Sequence, residues 1–313
     1  GAELFKSVDL KGDLGALVLG MLIAGLPKAN ELYKSLMSFK DLFLIGFFLS
    51  IGFTALPTLE MWYIASALLL LLPTLVWAQT ITLTYENSNS YPWYMKDGSG
   101  IDLMLLKMVD KNLPEVDFKY TQAPWKLCLK NIETNVTEGC FSASFKEKRK
   151  AYGYYPGGEA PNKAHRIHSS SYSLYVLKGA NISVSGKLTI DGLVGKVAAP
   201  AGYSIGDDLV KKGYKVDAGA SLTTHNFEKL LQGRVKAVAA LSLNGNNILS
   251  KNKKYSDKIQ VLAPPLIDKP YYLMFSKKFT NSHRALVEKI WKTIGEVRET
   301  QAHKDNAGAF LSK

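Results

Sequence analysis

The sequence predicts an α/β protein with two lobes, formed by residues 79–313, behind an apolar leader of 78 residues. Two observations support this prediction. Strand-like and helix-like segments alternate along the second part, which is typical of α/β domains. Charge is also divided unevenly, because the leader contains five Lys/Arg and six Asp/Glu, which leaves 34 and 21 for the body and a net charge of about +13 there.

Three uncharged apolar runs lie in the leader, at 14–26, 42–56 and 61–78. Each is shorter than the roughly 20 residues of a membrane helix, so the first two suit a re-entrant hairpin or paired helices, with buried helices of a soluble core as the alternative. The third run, from Met61 to Val76-Trp77-Ala78, fits a signal peptide cleaved after Ala78. A retained membrane anchor is the alternative, because no Lys or Arg precedes its apolar core.

In the first half of the body, segments with the two-residue period of a strand alternate with segments that have the spacing of a helix. Alternating apolar residues predict strands at 80–85 and 116–121, and a short strand is predicted at 140–144. Apolar residues at helical spacing predict helices at 101–109 and 125–132. The first helix follows the turn residues Asp97-Gly98-Ser99-Gly100.

The second half of the body repeats this rhythm. Strands are predicted at 196–199, 214–216, 237–241 and 271–275, and helices at 204–212, 226–232, 246–249 and 282–297. These elements are too many for one small sheet. We therefore expect two sheets of similar size, with the chain crossing between them near 172–178 and returning near 270–275.

Short motifs in the leader resemble a known membrane family. They are Glu3-Leu4-Phe5, Leu14-Gly15-Ala16, Gly20-Met21-Leu22-Ile23-Ala24, and the run from Phe39-Lys40-Asp41 through Ile51-Gly52-Phe53. Over residues 3–56 their order resembles a stretch of the Kef-type monovalent cation:proton antiporters. No carboxylate lies inside an apolar run of the leader, so we expect residues 1–60 to be a transmembrane fragment joined to a separate exported protein, rather than a working transporter.

A second set of motifs extends over the body. It comprises Gly100-Ile101-Asp102-Leu103, Ser142-Ala143-Ser144-Phe145, Tyr155-Pro156, Leu188-Thr189-Ile190-Asp191-Gly192, Ala201-Gly202-Tyr203-Ser204 and the helix around Trp291. Their order resembles the bacterial extracellular solute-binding proteins of family 3 across 79–313. The resemblance implies a two-lobed type II periplasmic-binding-protein fold, with lobe 1 at about 79–174 and 272–313 and lobe 2 at about 175–271.

The resemblance also implies ligand-binding residues. Arg149 corresponds to an arginine that grips the ligand carboxylate, for which a planar guanidinium is well suited; a solvated charge is the alternative. Ser142 and Ser144 are two apart, so both would face one side of a strand, unless they only end it. Tyr203 and Ser204 lie at a predicted helix start, where Ser204 would both cap the helix and offer backbone N–H groups to the ligand; a helix cap alone is the alternative.

Aromatic residues complete the predicted site. Tyr91 and Trp93 follow the first strand, where the family often places an aromatic over the ligand, and Trp125 is a further candidate. A role in the core or on the lobe surface is the alternative for Trp125.

One position departs from the family pattern. Amino-acid receptors of this kind place an Asp of lobe 2 against the ligand ammonium, where this sequence has Leu241 or Ser242. A buried ammonium without a carboxylate partner is unfavourable by several kcal/mol. We therefore expect a carboxylate without the amine, a peptide-like fragment or another anion.

Cys128 and Cys140 are the two cysteines. An even count in an exported chain favours a disulfide, and a loop of this size would stabilise the fold by roughly 3 kcal/mol. Two reduced, partly buried thiols are the alternative if the body stays in the cytosol.

Other chemistries have weaker support in the sequence. His165 and His168 form a His-x-x-His without further ligands, so no metal is expected, and no cofactor motif is found. Gly202-Tyr203-Ser204-Ile205-Gly206 matches the nucleophile-elbow pattern of hydrolases, but the predicted lobe 2 loop explains the same residues. No motif for nucleic acid accompanies the basic charge.

The sequence therefore predicts a non-enzymatic periplasmic receptor that closes two lobes over a small polar, carboxylate-bearing solute. Its expected partners are the solute and the membrane subunits of an ABC importer or a membrane sensor, with contact to the inner membrane through residues 1–78 if the leader is retained. The first alternative is an enzyme like the cyclohexadienyl dehydratases, with Glu86 or His225 as general acid. The second is a membrane cation:proton antiporter fragment.

Overall fold

The structure is a computed structural model that describes Tyr63 and residues 78–312. The predicted transmembrane fragment at 1–60 and signal peptide or anchor at 61–78 lie outside the described residues, apart from Tyr63 and Ala78. Residues 78–312 belong to one compact unit, Val76–Lys313. None of the helices in this described part is both long enough and apolar enough to cross a membrane.

The described part alternates between strands and helices, as predicted. Two short 3-10 helices, Glu147–Ala151 and Lys163–His165, lie between β3 and β5. The strands are β1 Gln79–Glu86, β2 Val116–Ala123, β3 Gly139–Ser144, β4 Gly153–Tyr154, β5 His168–Leu177, β6 Ser183–Gly186, β7 Thr189–Asp191, β8 Lys196–Ala198, β9 Lys215–Asp217, β10 Ala237–Leu241 and β11 Ile259–Ser276. The helices are α1 Ile101–Asn112, α2 Trp125–Glu133, α3 Ser204–Lys211, α4 Thr223–Leu231, α5 Ser242–Ser250, α6 Lys253–Ser256, α7 Lys277–Ser282, α8 Arg284–Glu299 and α9 Gln301–Leu311.

One twisted sheet passes through both lobes. Its nine strands follow the order β2-β1-β3-β11-β5-β10-β8-β9, with β4 paired to β11. β1 pairs in parallel with β2 and β3, whereas β11 is antiparallel to β3 and to β5. The expectation of two separate sheets of similar size is therefore wrong, because β5 and β11 join the two halves by hydrogen bonds. β6 and β7 form a separate two-stranded sheet.

Two sets of apolar cores define the lobes. We call lobe 1 the part with β1 to β4, α1, α2 and α7 to α9, and lobe 2 the part with β6 to β10 and α3 to α6. In lobe 1, alternate residues of β1 (Ile81, Leu83 and Tyr85) are buried with one face of α8, including Trp291. In lobe 2, Leu174 of β5 and Val197 of β8 pack against Ile205 of α3. The two antiparallel strands β5 and β11 connect these cores.

Helix boundaries follow from local signals, with some differences from prediction. α1 buries Ile101, Leu105 and Val109, which are spaced by one helical turn. The helix predicted at 246–249 extends over Ser242–Ser250, and the one predicted at 282–297 matches α8 within two residues, with the short α7 before it. The strand predicted at 271–275 is the end of the 18-residue β11.

The predicted disulfide between Cys128 and Cys140 is wrong, because both cysteines are free thiols in the core. Cys128 Sγ donates to the carbonyl oxygen of Ala123 at 3.2 Å and accepts from Thr84 Oγ1 at 3.4 Å. Burial raises the pKa of Cys128 to about 11. Both thiols therefore pack as small apolar groups in the core.

Candidate functional site

A cavity lies between the lobes at the carboxyl ends of β3 and β10. Of the eight residues predicted to bind ligand, Tyr91 alone lies outside its lining: it is half-buried and stacks on Phe310 at 6.1 Å between ring centroids. The cavity brings together the other seven, which are Trp93, Trp125, Ser142, Ser144, Arg149, Tyr203 and Ser204. Its remaining lining residues are Ser90, Tyr94, His168, Tyr172, Leu241 and Tyr271.

The lobes are closed tightly around this cavity. The space open to the centre of a water molecule is about 20 Å³. One water needs roughly 10–15 Å³ on that measure, so the cavity has room for one or two waters. In this arrangement of the lobes it has no room for a molecule of several heavy atoms.

Arg149 is the cation at the centre of the site. It lies in the 3-10 helix after β3, and its side chain is among the largest that are fully buried, at 1% exposure. Its guanidinium donates to the carbonyl oxygen of Ser144 at 2.7 Å and to that of Gly202 at 3.1 Å, and lies 5.3 Å from the ring centroid of Trp125. Within residues 78–312, no carboxylate forms an ion pair with it.

The Gly202 carbonyl links the lobes at this point. It accepts from Arg149 and, at 3.2 Å, from the indole Nε1 of Trp125. Gly202 has a φ of +80°, and an added Cβ would lie 3.2 Å from atoms of Trp125 and Lys126. A glycine here allows the lobe 2 loop to approach lobe 1 closely.

Two serine hydroxyls, one from each lobe, meet directly. Ser144 Oγ donates to Ser204 Oγ at 2.7 Å, and Lys269 Nζ donates to the same Ser204 oxygen at 2.8 Å. Ser204 is the first residue of α3, and Tyr203 precedes it as the N-cap without a side-chain cap bond. The expectation that Ser204 caps this helix is therefore wrong; its hydroxyl instead bridges the lobes.

Ser142 occupies an unusual backbone conformation. Its φ is +55°, in the left-handed region that non-glycine residues rarely adopt. The register of β3 against β11 shifts at the same place, so the two serines do not follow simple strand alternation. Ser142 Oγ donates to a carboxylate oxygen of Asp102. Strain of this kind concentrates at binding sites.

Asp102 also binds a histidine at the lobe boundary. His168 Nδ1 lies 2.8 Å from Asp102 Oδ1, and both side chains are buried. The imidazole ring lies between Trp93, at a centroid distance of 3.7 Å, and Tyr271, at 4.7 Å. Its other nitrogen, Nε2, has no hydrogen-bond partner among the described residues.

Glu86 lies at the end of β1 and is 2% exposed. Tyr94 donates to its carboxyl group at 2.9 Å, and Tyr203 donates to it from lobe 2. Burial raises its pKa above the ordinary value, although hydrogen bonds from Tyr203, Tyr94 and Ser88 oppose the shift. Its contacts therefore hold the lobes together.

Two buried lysines have carboxylate partners at the same interface. Lys146 forms an ion pair with Asp207 at the start of α3, which Lys148 also contacts at 2.7 Å. Lys269 forms an ion pair with Asp208. Burial lowers the pKa of Lys146 to about 8, and the contact with Asp207 opposes this.

The sequence reasoning missed the roles of Asp102 and His168. In the sequence, Asp102 stands within the motif Gly100-Ile101-Asp102-Leu103, and His168 stands out only with His165 as a His-x-x-His pair. The described residues contain no cluster of three metal-ligating side chains. His225, an alternative general acid, lies exposed on α4 and outside the cavity lining.

A family model described as the transmembrane sodium/hydrogen exchanger matches residues 2–85, less than a third of the chain. This match agrees with the predicted resemblance of the leader to a cation:proton antiporter fragment. No curated protein matches the chain.

Solved structures resemble the described part. A mutant of ArgBP from T. maritima is 17% identical, with a TM-score of 0.59 over 75% of this chain and 96% of that one. A histidine kinase sensor domain with similarity to periplasmic binding proteins is 12% identical, with a TM-score of 0.60 and coverages of 75% and 97%. A protein described as an L-cystine ABC transporter from Listeria monocytogenes is 19% identical, with a TM-score of 0.57 and coverages of 75% and 96%.

At these identities the likeness shows the fold. It agrees, at the level of fold, with the predicted resemblance to solute-binding proteins. The body of this chain therefore has the two-lobed α/β fold of the periplasmic binding proteins.

Proposed function

We propose that residues 79–313 are a periplasmic receptor for a small carboxylate-bearing solute, which they enclose between lobe 1, at about 79–174 and 272–313, and lobe 2, at about 175–271. The proposed partner is an ABC importer or a membrane sensor. The receptor works by closure, since a ligand that contacts both lobes favours the closed state by its differential affinity.

The observation that supports this proposal is the charge of Arg149. A guanidinium cannot lose its proton in a protein, and a buried charge without an opposite charge is unfavourable by several kcal/mol. Ser144 and Gly202 offer it carbonyl dipoles, but no described carboxylate neutralises it. A ligand carboxylate would supply the missing charge and the paired geometry that guanidinium prefers.

The closed cleft indicates which contacts a ligand would replace. The hydroxyls of Ser144 and Ser204 now bind one another across the interface. On opening, both become free to bind the ligand carboxylate beside Arg149. Such an exchange of protein contacts for ligand contacts keeps the free-energy difference between empty and occupied forms small.

The proposed partners rest on the fold relatives. Their descriptions name an ABC transporter and a sensor kinase domain with similarity to periplasmic binding proteins. Lobe 2 places Leu241 at the cavity, where a ligand ammonium would need a carboxylate, so the proposed solute lacks an α-ammonium group.

The test is thermal denaturation of the full chain with pentanoate, 2-oxopentanoate and succinate, with L-glutamine as the comparison that carries an α-ammonium group, and with uncharged pentanamide as the ligand control. We expect a saturable rise in Tm with at least one of the three carboxylates that lack an ammonium group, and none with pentanamide. Arg149→Lys keeps the charge but loses the paired donors, so affinity should fall about tenfold or more.

Arg284→Lys is the matched control, because Arg284 lies exposed in an ion pair with Glu288 on α8. It should leave affinity unchanged. If no carboxylate raises the Tm of the wild-type chain, or if Arg149→Lys binds as well as wild type, the proposal is wrong.

A further inference from the structure

A second and larger space lies between the lobes, next to the cavity at Arg149; we call it the outer cleft. Its space open to the centre of a water molecule is about 480 Å³, compared with about 20 Å³ for the cavity. Lobe 1 contributes residues between 88 and 96 to its lining, and lobe 2 contributes residues between 221 and 255. Tyr203 lines both spaces, so the cavity and the outer cleft meet at this side chain.

Hydroxyl and amide groups form most of the polar lining of the outer cleft. Ser88, Thr223 and Asn244 are the most buried of them, each at 8% exposure. Asn244 Nδ2 donates to Thr223 Oγ1 at 3.5 Å. Hydroxyl and amide groups can donate or accept hydrogen bonds, so they suit a polar ligand group of either charge.

Two lysines, one from each lobe, determine the charge of the outer cleft. Lys96 of lobe 1 and Lys251 of lobe 2 both belong to its lining, and no Asp or Glu is among the described residues that line it. Neither lysine forms an ion pair with a carboxylate in residues 78–312. The outer cleft is therefore positively charged.

An aromatic ring holds Lys251 in this position. Its Nζ lies 5.7 Å from the centroid of the Tyr91 ring, which belongs to lobe 1. Lys254, three residues further along the chain, instead pairs with Glu228 at 2.6 Å. A carboxylate thus lies near this part of lobe 2, yet Lys251 contacts an aromatic ring across the lobe boundary.

This arrangement favours an anionic ligand group over a cationic one. Charges of one sign that line a cleft with low-dielectric walls attract an opposite charge and repel a like one. An ammonium group of lysine only donates hydrogen bonds, and a carboxylate only accepts them. A terminal ammonium on the solute would add a third positive charge and could not bind either lysine.

We infer that the outer cleft binds a second carboxylate of the solute, between Lys96 and Lys251, so that the solute class is dicarboxylic acids. The inference rests on the proposed function and specifies its ligand, since the first carboxylate binds Arg149. It also gives Tyr91 a role as a positioning residue, because its ring holds Lys251 beside the cleft.

The test compares ligands that differ only at the far end of the chain. Affinities of the full chain are measured by calorimetry for pentanoate and heptanoate, for the dicarboxylates glutarate and pimelate of the same lengths, and for 5-aminopentanoate and 7-aminoheptanoate. We expect at least one dicarboxylate to bind about tenfold or more tightly than the monocarboxylate of its length. The amino acids should bind more weakly than the monocarboxylates, and added salt should reduce the preference.

A pair of double variants locates the second carboxylate. Lys96→Gln with Lys251→Gln removes both charges, and should abolish the preference for the dicarboxylate within that variant. Lys107→Gln with Lys253→Gln is the matched control, because it removes the same net charge at exposed positions outside the lining. The control should keep the preference, which separates a local contact from the overall charge of the protein.

The outcomes distinguish this inference from the receptor proposal. If a monocarboxylate binds and neither dicarboxylate binds more tightly, the inference is wrong and the receptor proposal stands. The same holds if an amino acid binds best, if the preference persists without Lys96 and Lys251, or if the control loses it equally. If none of these carboxylates binds, both proposals fail.

Discussion

Arg149 and Lys269 are buried cations that both lie near the lobe 2 residues Gly202 to Asp208, and their surroundings differ. Lys269 has Asp208 as its counter-charge, whereas Arg149 has two carbonyl oxygens and an aromatic ring. The lysine pair is complete without a ligand. The arginine is incomplete, which is what a carboxylate-binding site requires. A buried charge is thus informative about function when its partner is missing rather than when it is present.

Glu86 is a third buried ionisable group at this interface, and it avoids an unpaired charge in a different way. It is also buried, and no Lys, Arg or His within residues 78–312 forms an ion pair with it, but a carboxyl group can take up a proton and become neutral. Burial raises its pKa accordingly. Arg149 lacks this option, so its charge persists in the empty protein.

The largest expected difference between the two cations is in how much each stabilises the protein without ligand. Lys269→Met leaves Asp208 without its partner, and we expect the free energy of unfolding to fall by about 2–3 kcal/mol. Arg149→Met should lower it by less than half as much, because the Ser144 carbonyl still accepts from Tyr155 and the Gly202 carbonyl from Trp125. Urea denaturation of the full chain without ligand measures both.

A further substitution checks the cause of the Lys269 effect. Asp208→Asn added to Lys269→Met removes the stranded charge and should restore part of the stability. If Arg149→Met proves as destabilising as Lys269→Met, Arg149 serves the fold and the contrast between the two cations disappears.

The second expected effect is a dependence of folding stability on pH, caused by Glu86. Its folded-state pKa lies above 4.5, the ordinary value, so its protonated form favours the folded state. This stability is fully present below the unfolded pKa and is lost as pH rises through the folded pKa, at up to about 1.4 kcal/mol per pH unit. Glu86→Gln stays neutral and avoids the loss.

Urea denaturation of wild type and Glu86→Gln between pH 4 and pH 8 measures this difference. We expect the variant to gain stability relative to wild type as pH rises from about 4.5. The exposed Glu159→Gln should show no such trend. A constant difference between Glu86→Gln and wild type at every pH would mean that folding does not raise the pKa of Glu86.

The smallest expected effect on stability comes from the exposed ion pair between Lys148 and Asp207. Lys148 contacts Asp207 with 69% of its side chain exposed, so Lys148→Gln should change the free energy of unfolding by less than about 1 kcal/mol. Asp207 keeps Lys146 as its partner. A larger loss in urea denaturation would show that completed surface pairs, and not the incomplete buried charge, dominate this interface.

Much of the fold follows from local pattern. Strand alternation at β1 and the one-turn spacing in α1 predict their elements within a few residues. The continuous sheet was missed because β11 contains Pro264 and Pro265, where its register against β5 shifts. Two prolines indicate a loop from sequence alone, yet the strand continues beyond them.

The site residues likewise fall into two groups: those that a local motif identifies and those that only the folded chain brings together. Arg149, Ser142 and Ser144 lie within eight residues of one another, so a motif can identify them together. Asp102 and His168 are 66 residues apart and meet only in the folded protein. The disulfide prediction failed for a related reason, because a count of cysteines does not reveal the core hydrogen bonds that Cys128 makes.

The direct contact between Ser144 and Ser204 has a kinetic consequence. Because the closed cavity has room for only one or two waters, the proposed receptor would bind a solute only after the lobes separate. On that proposal, the observed association rate should reach a plateau at high solute concentration, equal to the opening rate. Release would require the same opening, so the residence time would depend on the opening rate as well as on the contacts of Arg149 with the solute.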